Sequence, residues 1–427
     1  MCLIVNLSLT KHFLLFFYPS YPITLRRDGS WYFQPHGSII FIKRTFLGEF
    51  DLFIWDFIFE ALTYSSFAAR SMLGQFFDIA GFSPVEIGYL VAMLPLVALI
   101  SNPFWFRVGS RITDKKAFII VSLISGFLFW PIYISRNFIL GLISIAAFSF
   151  FFSAVVPLGD SLMMASIKKH GGTFDKIRLF GTIGFSITAL LLSYLVKWGF
   201  IWYFIVASIS LFIAPIVINI KRKNNKKIQE KPKTVFIRNG NLFTFVLMTV
   251  GMIFGVTLGS FHNTFFPVLS REMGYDKSVV GLVFSFMAIT EIPFLFFAEK
   301  IIRKFGNFSV LVVGMLVSAL RVVLVTYVSG LVPLLLTQAL HGLTYILMYY
   351  ALFNYIHFRL PEKYLTNAQS LFWLTSSGLT YIFGSIIGGY LIEYFQTVTG
   401  FRIMGYSGFI VTGAIIAIFL IFKRKTS

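Results

Sequence analysis

The chain has 427 residues, of which 57% are hydrophobic and only 12% charged, and its mean hydropathy is +0.82. That composition excludes a soluble domain and indicates a polytopic helical membrane protein. The net charge of +19 does not point to nucleic acid, because the lysines and arginines collect in particular loops. The single cysteine, Cys2, excludes an intrachain disulfide and a cysteine-rich metal site.

Residues 1–50 differ from the rest. Short apolar runs such as His12–Tyr18 alternate with Arg26, Arg27, Lys43 and Arg44, and no stretch is long enough to span a bilayer. The segment reads as an N-terminal extension, either an artefact of a start site placed upstream of a true start near Leu47, or an amphipathic arm. No secretory cleavage pattern is visible.

Twelve spans follow, at 51–76, 85–106, 117–135, 138–165, 176–196, 199–219, 243–269, 279–299, 307–329, 331–354, 366–392 and 402–422. The basic stretch 221–240 divides them into an N-terminal bundle over 51–220 and a C-terminal bundle over 241–427, six spans each. With both termini placed inside, the inner loops hold 24 Lys and Arg and the outer loops five, so the positive-inside rule puts both termini in the cytoplasm. The halves repeat. Gly81–Gly88 (GFSPVEIG) and Gly274–Gly281 (GYDKSVVG) each read Gly, aromatic, five residues, Gly, at an offset of 193. Two six-span halves with a basic connection are the pattern of the major facilitator architecture.

Three successive spans each carry an ionisable residue near mid-bilayer: Glu291 in span 8, Arg321 in span 9 and His341 in span 10. A charge at that depth costs about 2.5–3.5 kcal/mol on insertion scales, so an acid, a base and a histidine at one level argue for a transport pathway. The plainer reading is an ion pair that only ties helices together. Glu291 suits proton loading and release, with Pro293 two residues on. Arg321, always charged, suits a counter-ion or a substrate clamp. His341 can donate and accept. Glu60 in span 1, with Tyr64 one turn on, reads as cavity lining, as do Gln338 and Asn354 in span 10. Arg70, near the end of span 1, reads as a snorkelling side chain.

The stretch 151–186 resembles the phenylpropionate-permease-like branch of the major facilitator superfamily, which is related to lactose permease and nucleoside–proton symporters. The matching residues are Val156-Pro157-Leu158, Asp160 and the run Lys176–Gly184 (KIRLFGTIG), joined in the second half by Glu291, Arg321 and His341. The resemblance implies that Asp160 and Arg178, on spans 4 and 5, hold the solute. It implies that Glu291, Arg321 and His341 handle a proton, although Thr344 stands where the family has a glutamate. The loop 107–116 is similar to a degraded Gly-x-x-x-Asp-Arg-x-Gly-Arg-Arg motif, which implies a gating role for Asp114 and Lys115. Arg303 and Lys304 occupy the corresponding loop of the second half.

The expectation is therefore an all-α protein of twelve transmembrane helices in two pseudo-symmetric bundles. Its function is secondary active transport in the cytoplasmic membrane, by proton-coupled symport of a sugar, nucleoside or aromatic acid. Proton-driven efflux of amphipathic compounds and a non-transporting membrane sensor are the alternatives. An enzyme is not expected: there are no paired carboxylates one turn apart, no histidine-rich metal spacing and no phosphate-binding glycine loop. Its partners would be the solute, a proton and the bilayer, with no nucleic acid, no cofactor and no metal, and it would act as a monomer.

Overall fold

The structure, a computed structural model, describes residues 45–170, 174–220 and 240–426 together with three short strands. The strands are β1 (Ile23–Leu25), β2 (Trp31–Phe33) and β3 (Ile40–Ile42). They pair antiparallel in that order, with Ile23 opposite Phe33 and Trp31 opposite Ile42. Residues 1–54 form one compact unit and residues 55–427 another. The basic linker expected at 221–240 lies outside the described residues except for Gly240.

From Thr45 onward the fold is helical. The first half contains α1 (Thr45–Ser71), α2 (Leu73–Ile79), α3 (Pro84–Ile112), α4 (Asp114–Ile134), α5 (Phe138–Phe152), α6 (Val155–His170), α7 (Phe174–Leu195) and α8 (Ile201–Val217). The second contains α9 (Leu242–Glu272), α10 (Ser278–Phe305), α11 (Asn307–Leu324), α12 (Leu331–Ala339), α13 (Tyr345–Phe358), α14 (Leu365–Leu374), α15 (Thr380–Phe395) and α16 (Thr397–Thr426). Each expected span coincides with one of these helices or with a consecutive pair. Among the described residues, nine helical segments are long and apolar enough to cross a bilayer, counting Phe138–Ile167 and Leu331–Phe358 as one segment each. Their outward faces carry large apolar side chains such as Ile100, Phe127 and Ile143, as a lipid environment requires.

Local chemistry sets the boundaries. Ser83 and Glu86 form a reciprocal capping box at the start of α3, with Pro84 in the first turn. Asn137 caps α5 and Asn241 caps α9, each by accepting from a backbone N–H three residues on. Asp276 accepts from the Ser278 hydroxyl and, at 2.9 Å, from its backbone N–H, and this bonding holds its carboxyl below the ordinary value of 3.8. Gly81 and Gly274, equivalent in the two halves, both take positive φ, at 91° and 77°.

The two halves meet through paired spans. In the element contacts, α3 lies on α15 and α7 on α10. Glycines set the spacing. A Cβ on Gly88 would lie 2.5 Å from the Ser385 carbonyl oxygen, and one on Gly281 would lie 2.7 Å from that of Ala189. A Cβ on Gly389 would meet the Pro84 carbonyl oxygen at 2.7 Å, and one on Gly74 that of Thr264 at the same distance. The Ser285 hydroxyl donates to the Ser186 carbonyl at 2.7 Å. Backbones approach this closely only where small residues face each other.

Candidate functional site

Span 10 is broken where a single helix over 331–354 was expected. Helix α12 stops at Ala339, a 3-10 turn covers Leu340–Leu343, and α13 begins at Tyr345 after Thr344, whose φ and ψ are −95° and −100°. Gly342 is the reason the break can lie flat on α10. A Cβ there would drive into the Thr290 carbonyl oxygen and sit 2.8 Å from the Phe294 ring. Irregular backbone at membrane depth is tolerated where it is buried in protein or lines a cavity. The break holds His341 against Glu291, next in sequence to Thr290.

The three central residues form a chain. Nε2 of His341 lies 2.8 Å from a Glu291 carboxylate oxygen. An Arg321 guanidinium nitrogen bonds Nδ1 of the same ring. Arginine can only donate, so Nδ1 accepts and Nε2 carries the proton that faces Glu291. The Thr344 hydroxyl donates to the His341 carbonyl at 2.7 Å, which fixes the residue's place in the turn. Arg321 is among the largest fully buried side chains, at 1% exposure, whereas the side chains of Glu291 and His341 keep 20% and 12%. The chain thus runs from a partly open carboxylate to a sealed guanidinium.

A second cluster occupies the first half. Two glycines of the Lys176–Gly184 run draw α7 onto α1: a Cβ on Gly184 would lie 2.5 Å from the Ala61 carbonyl oxygen, and one on Gly181 would lie 2.6 Å from the Tyr64 ring. One turn before Gly181, Arg178 lays its guanidinium over that same ring, 3.9 Å from the centroid. Its Nη1 is 3.8 Å from a carboxylate oxygen of Glu60, too long for a hydrogen bond. Glu60 is fully buried, and neither of its oxygens has a hydrogen-bond partner; Nη1 of Arg178 and Oδ1 of Asp160 also lack one. Asp160 is an electrostatic neighbour of both Glu60 and Arg178, and Arg178 also feels Glu291 across the divide between the halves. Four of the expected solute residues therefore converge: Glu60, Tyr64, Asp160 and Arg178.

The other expected residues lie elsewhere. Gln338 is buried, donating to the Thr337 hydroxyl at 3.2 Å, while its carbonyl oxygen has no partner. Asn354 accepts at 2.9 Å from Asn307, which also donates to the Ala351 carbonyl, so it ties α13 to the start of α11. Asp114 accepts from the Ser161 hydroxyl at 2.6 Å, joining the α3–α4 turn to α6. The sequence has one residue too many between Gly109 and Asp114 for the family motif. Thr113 absorbs it with a φ of 93°, and Asp114 still packs on Gly109, 2.7 Å from where a Cβ would stand. Lys115 is half-buried at the same turn. Arg303 pairs with Glu299 of its own helix at 3.9 Å, both 72% exposed, and Lys304 lies over the Phe305 ring.

One local expectation, for Arg70, is corrected. Span 4 breaks at Ser153–Ala154, and Pro157 sits in the first turn of α6, where its missing N–H leaves no bond unmade. Arg70 does not snorkel freely: its Nε is buried without a hydrogen-bond partner and its guanidinium stacks over Phe67 at 4.9 Å.

Sequence reasoning missed two residues near these clusters. Tyr345 is an electrostatic neighbour of Glu291, Arg178, Tyr349 and Tyr381, so it stands between the two clusters. Its place four residues after His341 was a signal. His262 on α9 is fully buried, stacked on Phe266, and within electrostatic reach of Arg321 and His341. No groups of three or more His, Cys, Asp or Glu suited to a metal occur among the described residues.

Residues 59–403 match the MFS_1 like family. The chain belongs to that family. Its members here are transporters, and the protein is a multi-pass secondary transporter rather than an enzyme. It is 25% identical over 379 residues to the maltose permease of Geobacillus stearothermophilus, covering 87% of this chain and 95% of the relative. It is 24% identical to the putative nucleoside transporter YegT of Escherichia coli (strain K12), over 81% of this chain and 88% of the relative. The crystal structure of a point mutant of the nucleoside transporter NupG superposes with a TM-score of 0.74 at 18% identity, covering 86% of this chain and 100% of that one. This MFS_1-like chain accordingly has the major facilitator fold, with which the twelve expected spans are consistent. The all-α expectation holds from Thr45 on; the three strands before it are an addition.

Proposed function

We propose that the protein is a proton-coupled symporter of small hydroxylated solutes, sugars or nucleosides, working by alternating access as a monomer. It would sit in the cytoplasmic membrane with both termini inside, as the loop charges favour. The observation that carries the coupling is the bridging position of His341. Its ring links Glu291 to Arg321, so a proton taken up by Nδ1 removes the acceptor of a buried cation, and one taken up by Glu291 neutralises the carboxylate that the ring faces. Such a constellation alternates between two arrangements, as a coupled carrier must. One positive charge moved inward through 100 mV supplies about 2.3 kcal/mol, a roughly 50-fold solute gradient.

The solute class is supported by the unfilled hydrogen-bonding capacity of Glu60, Asp160 and Arg178. A hydroxyl can donate to a carboxylate and accept from a guanidinium, and the face of Tyr64 offers a wall for a sugar ring. Relatives described as maltose and xanthosine permeases fit this reading. The test is uptake of maltose, xanthosine and 3-phenylpropionate into proteoliposomes under an imposed pH gradient. Maltose or xanthosine should accumulate. Glu291→Gln should abolish uphill accumulation and spare solute exchange. Unchanged uphill uptake by that variant would overturn the coupling role, and accumulation of 3-phenylpropionate alone would overturn the solute class.

A further inference from the structure

Away from the central clusters, a groove of about 460 Å³ opens on the wall formed by the end of α3 and the start of α4. Arg111, Ile112, Lys116, Ile119 and Ile120 line it. Arg111 and Lys116 are exposed, and among the described residues no acid pairs with either. The one acid in the turn between them, Asp114, is turned inward to Ser161 and packed on Gly109. The groove is therefore cationic at its mouth.

Its floor is apolar and continues beyond it. Lys116, Ile119 and Ile120 share one face of α4, at helical spacings of three and four. Ile120 is 37% exposed, Leu123 36% and Phe127 68%, so an exposed apolar stripe runs on down the same helix. The opposite face, with Phe118 and Val121, is buried in the bundle. Helix α4 has 21 residues. At about 1.5 Å per residue it crosses a hydrocarbon core of about 30 Å, which leaves Lys116 at the level of the lipid headgroups. Two cations at that level above a strip of exposed hydrocarbon match the shape and charge of one molecule, a lipid with a negative headgroup.

We propose that this groove binds an anionic phospholipid, with the phosphate held by Arg111 and Lys116 and an acyl chain lying along Ile120, Leu123 and Phe127. A free phosphate would use the cations and leave the stripe without purpose. A zwitterionic lipid would satisfy the stripe and leave the charge unmatched. The bound lipid lies against the turn whose Asp114 reaches Ser161, the neighbour of Asp160 in sequence, so its occupancy braces the junction of α4 and α6.

The test is native mass spectrometry of the full chain released from nanodiscs containing phosphatidylglycerol and phosphatidylcholine. The wild type should retain phosphatidylglycerol in preference. Each basic residue at a membrane surface contributes about 1 kcal/mol, so Arg111→Gln with Lys116→Gln should weaken retention about thirtyfold. Lys116→Gln alone, in an exposed first turn, should weaken it about fivefold and serves if the double variant fails to fold. Equal retention by wild type and either folded variant overturns the proposal. So does equal retention of the two lipids, or displacement of phosphatidylglycerol by inorganic phosphate.

Discussion

Asp78 and Arg271 form a two-pronged ion pair, Nε to Oδ2 at 2.7 Å and Nη2 to Oδ1 at 3.0 Å, and they stand 193 residues apart. That separation is the offset of the internal repeat, so the pair occupies equivalent positions of the two halves, three residues before Gly81 and Gly274. Pseudo-twofold symmetry brings equivalent positions together near its axis, and here one copy is an acid and the other a base. Beside them, Gln75 donates to the Lys277 carbonyl at 2.8 Å and accepts from the Tyr203 hydroxyl at 2.7 Å. The result is a polar latch across the end of the bundle that carries the 81–83 and 274–277 loops.

In an alternating-access carrier this latch must open, so weakening it should favour the state open at that end. Arg271 is 50% exposed, and solvent screening limits such a pair to about 1 kcal/mol, a roughly fivefold effect. Arg271→Gln is expected to speed labelling of a cysteine placed at buried Thr264 by an impermeant maleimide about fivefold, and the exchange Asp78→Arg with Arg271→Asp to restore the slower rate. Labelling at the wild-type rate in Arg271→Gln would show that the pair does not hold that end shut.

The glycines beside the latch make a steric counterpart. Gly88 and Gly281 are also 193 apart, and each faces a carbonyl oxygen of the other half. Alanine at either should force the facing backbone away, at a cost of about 1–3 kcal/mol, seen as a lower melting temperature and faster labelling at Thr264. Gly413→Ala is the control, since nothing lies within 4 Å of its added carbon. Melting temperatures equal to that of the control would show that the close approach is not required.

How much of this was legible in the sequence follows from what each feature costs. Charges in hydrocarbon are expensive, so Glu291, Arg321, His341, Glu60 and Arg178 stood out against apolar runs. The repeat was visible because tight turns demand glycine at Gly81 and Gly274. The break in span 10 was not visible: neither glycine nor threonine is unusual in a membrane helix, and only the contact of Gly342 with Thr290 reveals why that residue is small. Asn354 was indistinguishable from a cavity residue, because a polar side chain at the end of a span serves a helix junction as readily as a solute. The Asp78–Arg271 pair escaped notice because single charges near span ends are common; the shared offset was the unused clue.

The buried charges should be interdependent. Removing one member of a buried pair leaves an uncompensated charge, which typically costs 3–5 kcal/mol, whereas removing both is far milder. Arg321→Gln is therefore expected to lower chemical stability in detergent by about 3 kcal/mol, and adding Glu291→Gln to that variant to recover most of the loss. A strictly additive double variant would mean that Arg321 and Glu291 do not compensate each other through His341.

Gly342 offers the sharpest separation of geometry from chemistry, because it has no functional group of its own. Alanine there collides with the Thr290 carbonyl and the Phe294 ring, and must lift the 3-10 turn off α10. That displacement carries His341 away from Glu291, now 2.8 Å apart, while leaving Glu291, His341 and Arg321 all present. A helix-packing defect of this size costs about 1–3 kcal/mol, small enough for a polytopic protein of this length to remain folded. Gly342→Ala is expected to behave in proteoliposomes like Glu291→Gln, with exchange retained and pH-driven accumulation lost. Serine, slightly larger, should do at least as much damage. Full accumulation by Gly342→Ala at a normal melting temperature would show that the contact between His341 and Glu291 is not the element that couples the proton.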